Sequence, residues 1–288
     1  LLSAPIVAAG ALVAFGVRRL IARRPPDAPA NPSDLGLTYE PVAFSAADGM
    51  PLRGWFLPAH GPARGALIFL HGQAGSMDGD IRYAPACVAR GYHVLMFDFR
   101  AHGRSGGDWV SFGYYERLDV LAAIAFLRTR GIEQVGLWGF SMGGAVALVS
   151  APLTPAVRAI VSDGGFARLE TTVAGWLGEK GAPRPVRLTL ARAIILAAGL
   201  RLGCWLPAAD PIRWVSRVAP AGIFFMQGGS DPYVPLTDAR RLFALAGEPK
   251  QIWVEPAAGH REIELHAPAD YVPQALDFFD RFFPESSR

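Results

Sequence analysis

Gly139-Phe140-Ser141-Met142-Gly143-Gly144 sets a serine between two glycines, one two residues before it and one two residues after. A serine lifted into solvent at the end of a strand must take a strained backbone conformation. Its neighbours at minus two and plus two then have no room for a side chain. The apolar run 135–138 ahead of it reads as a short strand, and 145–149 behind it as a buried helix. In that strand, turn and helix Ser141 would be a nucleophile. The pentapeptide alone is common by chance, so its weight depends on the rest of the chain.

A serine hydroxyl attacks well only when a histidine takes its proton. That histidine needs a carboxylate to hold its tautomer and stabilise the imidazolium. Behind an elbow of this kind the acid comes next in the chain and the histidine last. Two histidines follow Ser141: His260, directly after a strand candidate in Ala257-Ala258-Gly259-His260, and His266, six residues on and near the terminal helix. Position favours His260 as general base, with His266 an exposed bystander. The acids to choose among are Asp163, Asp210, Asp231 and Asp238. Asp231 lies in the turn-rich loop 228–235, leaving the strand before the histidine strand, and so sits at the carboxyl edge of the sheet where ligands bind. Asp163 also follows a strand, one earlier, and is the second choice. Asp210 and Asp238 read as helix-start residues.

The tetrahedral oxyanion needs two donors. Met142 N–H comes with the elbow, and the second should come from a loop after an earlier strand. His71-Gly72-Gln73-Ala74-Gly75 holds that place, with Gln73 N–H as the donor. His71 reads as a brace for the loop rather than an acid or base.

These residues need elements to carry them. Residues 38–44 and 52–57 flank the turn dipeptide Asp48-Gly49 and predict an opening hairpin. The run 66–70 predicts a strand continuous enough to be buried on both faces, and 93–97, 157–161, 223–227 and 251–254 predict further strands. Between them fall helix candidates at 83–90, 114–130 and 269–283, and a polar, Gly-rich loop at 98–108. This alternation predicts an α/β fold with a mainly parallel sheet flanked by helices on both faces. Only the stretch 164–217 breaks the rhythm. Its apolar segment 186–206 carries Arg187, Arg192 and Arg201 on no single face, which reads as a helical insertion or a cap over an apolar acyl pocket.

Composition narrows the function classes. The chain has 288 residues, 51% of them hydrophobic and 18% charged, enough for a large core and inconsistent with disorder. A net charge of +3, with Lys180 and Lys250 the only lysines and no arginine run interleaved with aromatics, argues against nucleic acid as a partner. Cys87 and Cys204 have no metal-ligand or redox spacing and read as free thiols.

Residues 1–17 contain no charge, and Arg18, Arg19, Arg23 and Arg24 follow at once. As a helix this run would span roughly 26 Å, near a bilayer's hydrocarbon thickness. It predicts a transmembrane anchor, with the domain behind it on the cytoplasmic side. A cleaved signal peptide for export, or a helix of the mature domain, are the competing readings. Residues 18–34, rich in Arg and Pro, read as a spacer, leaving 35–288 as the folded domain.

Taken together, 71–75, 98–105, the elbow, the Asp231 loop and Gly259-His260 resemble serine hydrolases of the α/β-hydrolase superfamily. They are most similar to its membrane-anchored group of depalmitoylase-like and lysophospholipase-like enzymes. The resemblance runs from about residue 39 to 284. It implies Ser141 as nucleophile, Asp231 as orienting acid, His260 as base, and the amides of Gln73 and Met142 as oxyanion hole, with loop 98–105 structural and His102 where the family commonly has a small residue. The expectation is hydrolysis of an ester or thioester of a small-molecule or lipid-like acyl substrate, with no metal and no organic cofactor. A peptidase of the same fold, a haloperoxidase-like use of the same residues, and a non-catalytic binder of a small ligand or partner are the alternatives. Oligomeric state is not specified by the sequence.

Overall fold

The computed structural model describes residues 3–284. Leu1 and Leu2 of the expected anchor, and 285–288 at the end of the expected domain, lie outside the described residues. The chain opens with helix α1 (Ser3–Ile21). Strands β1 (Glu40–Ser45) and β2 (Pro51–Leu57) then form the predicted antiparallel hairpin, turning at Asp48-Gly49, where Gly49 takes φ 83°. There follow β3 (Gly65–Leu70), α2 (Ala84–Ala89), β4 (Tyr92–Phe97), α3 (Glu116–Arg128), β5 (Val135–Phe140), α4 (Met142–Ser150) and β6 (Val157–Asp163). Helices α5 (Leu169–Glu179) and α6 (Arg184–Leu202) precede β7 (Gly222–Gly228), α7 (Leu236–Leu245), β8 (Lys250–Glu255), α8 (Ile263–His266) and α9 (Pro268–Asp280).

The strands make one sheet in the order β1-β2-β4-β3-β5-β6-β7-β8. From β4 to β8 every pair is parallel, and only β2, antiparallel to both β1 and β4, runs against that direction. Register explains why the central strands are apolar throughout. Ile68, Leu137, Ile160 and Ile223 pair across neighbouring strands in one row, and Phe69, Trp138, Val161 and Phe224 in the next. Alternate residues point to opposite faces, so the first row joins the core under α3 and α4 and the second joins the core under α2 and α9. Each fully buried side chain of this size contributes roughly 1.5–3 kcal/mol relative to exposure. Because the strands run parallel, their carboxyl ends share one edge, and the loops that leave β3, β5, β7 and β8 meet there.

The membrane anchor expected of residues 1–17 is overturned, and with it the membrane-anchored location. Among the described residues no helix is long and apolar enough to cross a membrane. The uncharged part of α1, from Ser3 to Val17, is about 22 Å long against a hydrocarbon core of about 30 Å. Its apolar side has another use: Val17 and Ile21 are buried in the core, and Gly16 lies so close to α6 that an added Cβ would meet Ile194 Cδ1 at 2.4 Å.

Nor does 18–34 stand away from the body as a spacer. Arg18 and Arg19 form the last turn of α1, where positive charge suits the helix dipole. Arg24 N–H donates to Ala101 O and Gly103 N–H to Arg24 O. The Arg23 guanidinium donates to the carbonyls of Gly103, Ser105 and Gly107. Asp27 and Ser76 exchange two hydrogen bonds.

Between β6 and β7 the chain adds only helices, as the break in rhythm predicts. The scattered arginines of α6 each find a different neighbour. Arg187 donates to Ala182 O, Arg192 pairs with Glu170 at 2.8 Å, and Arg201 lies 4.4 Å from the Trp109 ring centroid.

Candidate functional site

Ser141 stands between β5 and α4 with φ 53° and ψ −114°, a conformation few non-glycine residues take. Its N–H donates to Asp163 O at 2.7 Å. The two glycines are there for space. A Cβ on Gly139 would stand 2.4 Å from Gly143 O, and one on Gly143 only 1.7 Å from Leu70 O at the end of β3.

Three predicted residues come together at the carboxyl edge. His260 Nε2 is 2.8 Å from Ser141 Oγ, and His260 Nδ1 is 2.6 Å from Asp231 Oδ2. Asp231 is fixed by its own loop: Oδ1 accepts the N–H groups of Tyr233 and Val234, and Gln227 Nε2 donates to Oδ2 at 3.1 Å. Its side chain is fully buried, whereas that of His260 is 19% exposed, so solvent reaches the imidazole but not the carboxylate. Gly164, at φ 65°, lies against the imidazole, and a Cβ there would stand 3.1 Å from His260 Cε1.

The other candidates are elsewhere. Asp163 Oδ2 accepts from Tyr271 Oη at 2.7 Å and lies 3.4 Å from Arg261 Nε, and its Oδ1 is buried with no partner among the described residues. Burial pushes its carboxyl above the ordinary range, against the pull of Arg261. Asp210 makes no side-chain cap bond to the turn that follows it and instead accepts the Leu169 N–H that opens α5, and Asp238 in the first turn of α7 accepts from Thr171 Oγ1. His266 is exposed at the end of α8.

Met142 is the first residue of α4, so its N–H is among the helix donors with no intrahelical acceptor. Gln73 lies in the loop after β3 and lines the same cavity as Ser141, Met142 and His260. His71 governs how that loop is turned. Phe99 N–H donates to His71 Nε2 at 2.9 Å, which leaves the ring proton on Nδ1, 2.8 Å from Gly72 O. Gly72 C=O and Gln73 N–H belong to one trans peptide plane and point opposite ways. Holding the first therefore aims the second. His102 is fully buried behind this loop, with Nε2 3.0 Å from Gln73 O and Nδ1 2.8 Å from Arg100 O. Burial lowers His71, and burial together with the nearby His71 pushes His102 down to about 4.

The cavity has a volume of about 550 Å³. Phe166, Leu169, Val173, Trp176 and Ile194 give it an apolar wall from the start and body of the helical insertion. Part of the lining is unforeseen in the sequence: Gly16, Arg19, Leu20, Arg24 and Asp27. Gln73 Nε2 donates to Leu20 O at 3.2 Å, tying α1 to the loop after β3. No local pattern announces this contact, which spans 53 positions. Gln227 did have a signal, as a polar residue ending an otherwise apolar strand. Among the described residues no group of three or more His, Cys, Asp or Glu side chains is placed to hold a metal ion.

Residues 65–208 match the family profile of the alpha/beta hydrolase fold. The uncharacterized protein Rv2307c of Mycobacterium tuberculosis is 30% identical over 275 residues, covering 91% of this chain and 89% of its own. The uncharacterized protein YfhR of Escherichia coli K12 is 28% identical over 249 residues, covering 83% and 80%. Among solved structures, the Pyrococcus furiosus esterase Pf2001 superposes with a TM-score of 0.75 at 22% identity, covering 92% of this chain and 99% of its own. At that identity the likeness is one of fold.

Proposed function

The chain belongs to the alpha/beta hydrolase fold family, and from that premise we propose that it is a serine hydrolase acting on carboxylic esters or thioesters of an apolar acyl group. The observation that carries this reading is the run of two short contacts, 2.8 Å from Ser141 Oγ to His260 Nε2 and 2.6 Å from His260 Nδ1 to Asp231 Oδ2. In the proposed reaction Ser141 Oγ bonds to the acyl carbon as its proton passes to His260 Nε2. The carbonyl π electrons move onto oxygen, where Gln73 N–H and Met142 N–H would hold the oxyanion, each such donor being worth about 3–4 kcal/mol in the transition state.

As the oxyanion collapses, the bond to the leaving oxygen or sulfur breaks and the leaving group takes the proton from His260. The acyl-enzyme is then attacked by water, which gives a proton to His260, and collapse of the second oxyanion frees the acid and returns the proton to Ser141. Asp231 keeps the Nδ1 proton in place and stabilises the imidazolium throughout. The aromatic and aliphatic wall supports an apolar acyl group, in keeping with the resemblance to depalmitoylase-like and lysophospholipase-like enzymes.

The test is steady-state hydrolysis of p-nitrophenyl esters of increasing chain length by wild type and Ser141→Ala, with fluorophosphonate labelling beside it. Loss of both turnover and labelling in the variant is expected, and the optimum chain length sizes the pocket. Folded wild type that neither turns over nor labels would replace this reading with a cavity that only binds.

A further inference from the structure

Apart from His260, the acidic and basic side chains lining the cavity are Arg19, Arg24, Asp27, Asp80, Arg82 and Arg261. Most are already engaged. Asp27 accepts Ser76 N–H at 2.8 Å, Asp80 pairs with Arg261 at 2.6 Å, and Arg82 lies 3.1 Å from Glu264. Arg19 and Arg24 reach no carboxylate at ion-pair distance among the described residues. Arg24 uses one Nη to donate to Arg19 O in the last turn of α1, and its Nε is buried without a partner.

Arg19 is exposed and Arg24 half-buried, but the backbone that carries them is fixed. The backbone of Arg24 is pinned on both sides by Ala101 and Gly103, and Gln73 Nε2 holds Leu20 O, so both arginines are carried on a segment fastened to the loop beside Ser141. Two guanidinium groups on one cavity wall repel each other. Burial, and then the charge of Arg19, both lower the pKa of Arg24, the mark of a cation whose surroundings do not neutralise it. A bound anion would supply the missing charge and acceptor atoms.

We propose that Arg19 and Arg24 form a subsite for an anionic group, carboxylate or phosphate, on the leaving-group side of the scissile ester. This deepens the hydrolase reading and rests on it for the ester. The side is assigned by chemistry: the apolar side chains of α5 and α6 suit the acyl chain, which leaves the arginines, next to the loop of Gln73, for the other half of the ester. The substrate is then an amphiphile with an apolar acyl part and a short anionic leaving part.

The experiment compares octanoyl esters of para-hydroxybenzoate, which is anionic, and para-hydroxybenzamide, its neutral counterpart. Wild type should prefer the benzoate in kcat/KM by at least about tenfold, as expected for a charge-assisted contact. The ratio should fall toward about one in Arg19→Gln/Arg24→Gln and largely survive in Arg24→Lys, which keeps the charge. A ratio near one in wild type, or one unchanged in the double variant, overturns the subsite. So does a matching preference for the p-nitrophenyl monoester of octanedioic acid over p-nitrophenyl octanoate, because it would put the anion on the acyl side. If neither ester turns over, the hydrolase reading fails by itself. Calorimetric binding of para-octanoyloxybenzoate then decides the anion site: weaker binding by the double variant supports it, and equal binding overturns it.

Discussion

A Cβ added to Gly143 would stand 1.7 Å from the carbonyl oxygen of Leu70. The first turn of α4 and the end of β3 are pressed together with no side chain between them. The same approach brings the loop of Gln73 against the elbow, where a Cβ on Gly72 would lie 3.5 Å from Ser141 Cβ. One backbone contact thus sets the distance between the serine and the proposed oxyanion donors.

Gly143→Ala should therefore be far more damaging than its single methyl suggests. The obstacle is main chain rather than a side chain that can swing aside, so β3 and α4 must separate. A stability loss above about 3 kcal/mol, with loss of turnover, is expected from urea unfolding and ester assays. Near-native stability would mean that the two elements are not held this close.

Asp163 ends β6 and Asp231 follows three residues after β7, but only Asp231 is at hydrogen-bond distance from His260. Asp231→Asn should lower kcat about 10³- to 10⁴-fold by upsetting the imidazole tautomer. Asp163→Asn should leave kcat within about tenfold, because that carboxylate serves Tyr271 and Arg261. The reverse ranking in steady-state kinetics would assign the acid to Asp163.

His71 should act through the direction of the Gly72–Gln73 peptide. His71→Ala leaves Gly72 O held only by Gly75 N–H at 3.3 Å, and kcat should drop about 10- to 100-fold with KM little changed, since an oxyanion donor is felt mainly in the transition state. A change confined to KM would place His71 in substrate binding instead.

Much of this was legible along the chain because the elements are local. The elbow glycines, the strand endings and the order of serine, acid and histidine all show as short patterns, and the parallel sheet follows from alternation. What escaped is tertiary. An uncharged run followed by arginines reads as a membrane segment whether its apolar face meets lipid or α6, and the choice depends on surface that Ile194 supplies 178 positions later. Arg23, whose guanidinium meets three carbonyls of the loop after β4, was equally hidden.

The docking of α1 can be tested at two of its own glycines. Gly10 has open space around it, so Gly10→Ala should raise stability by up to about 1 kcal/mol through helix propensity. Gly16→Leu would drive a side chain into Ile194, and should lower stability by about 1–3 kcal/mol and open the cavity wall. Thermal unfolding reads both. Equal effects at the two glycines would mean that α1 does not pack on α6 at this point.

The buried imidazoles behind the Gln73 loop predict how the fold responds to acid. His102 is pushed from an ordinary 6.5 down to about 4 by burial and by His71 beside it, and burial lowers His71 too. Once unfolded, both rings regain ordinary values and take up protons that the folded chain refuses. Their contribution to stability is therefore complete above about pH 6.5 and is lost as the pH falls toward about 4. Between pH 7 and 4.5 the wild type should lose about 2–3 kcal/mol more than His102→Gln, in which that ring is gone. Urea unfolding at the two pH values measures the difference. Equal losses would show that His102 is already protonated in the fold, donating to the carbonyls of Gln73 and Arg100 from both nitrogens.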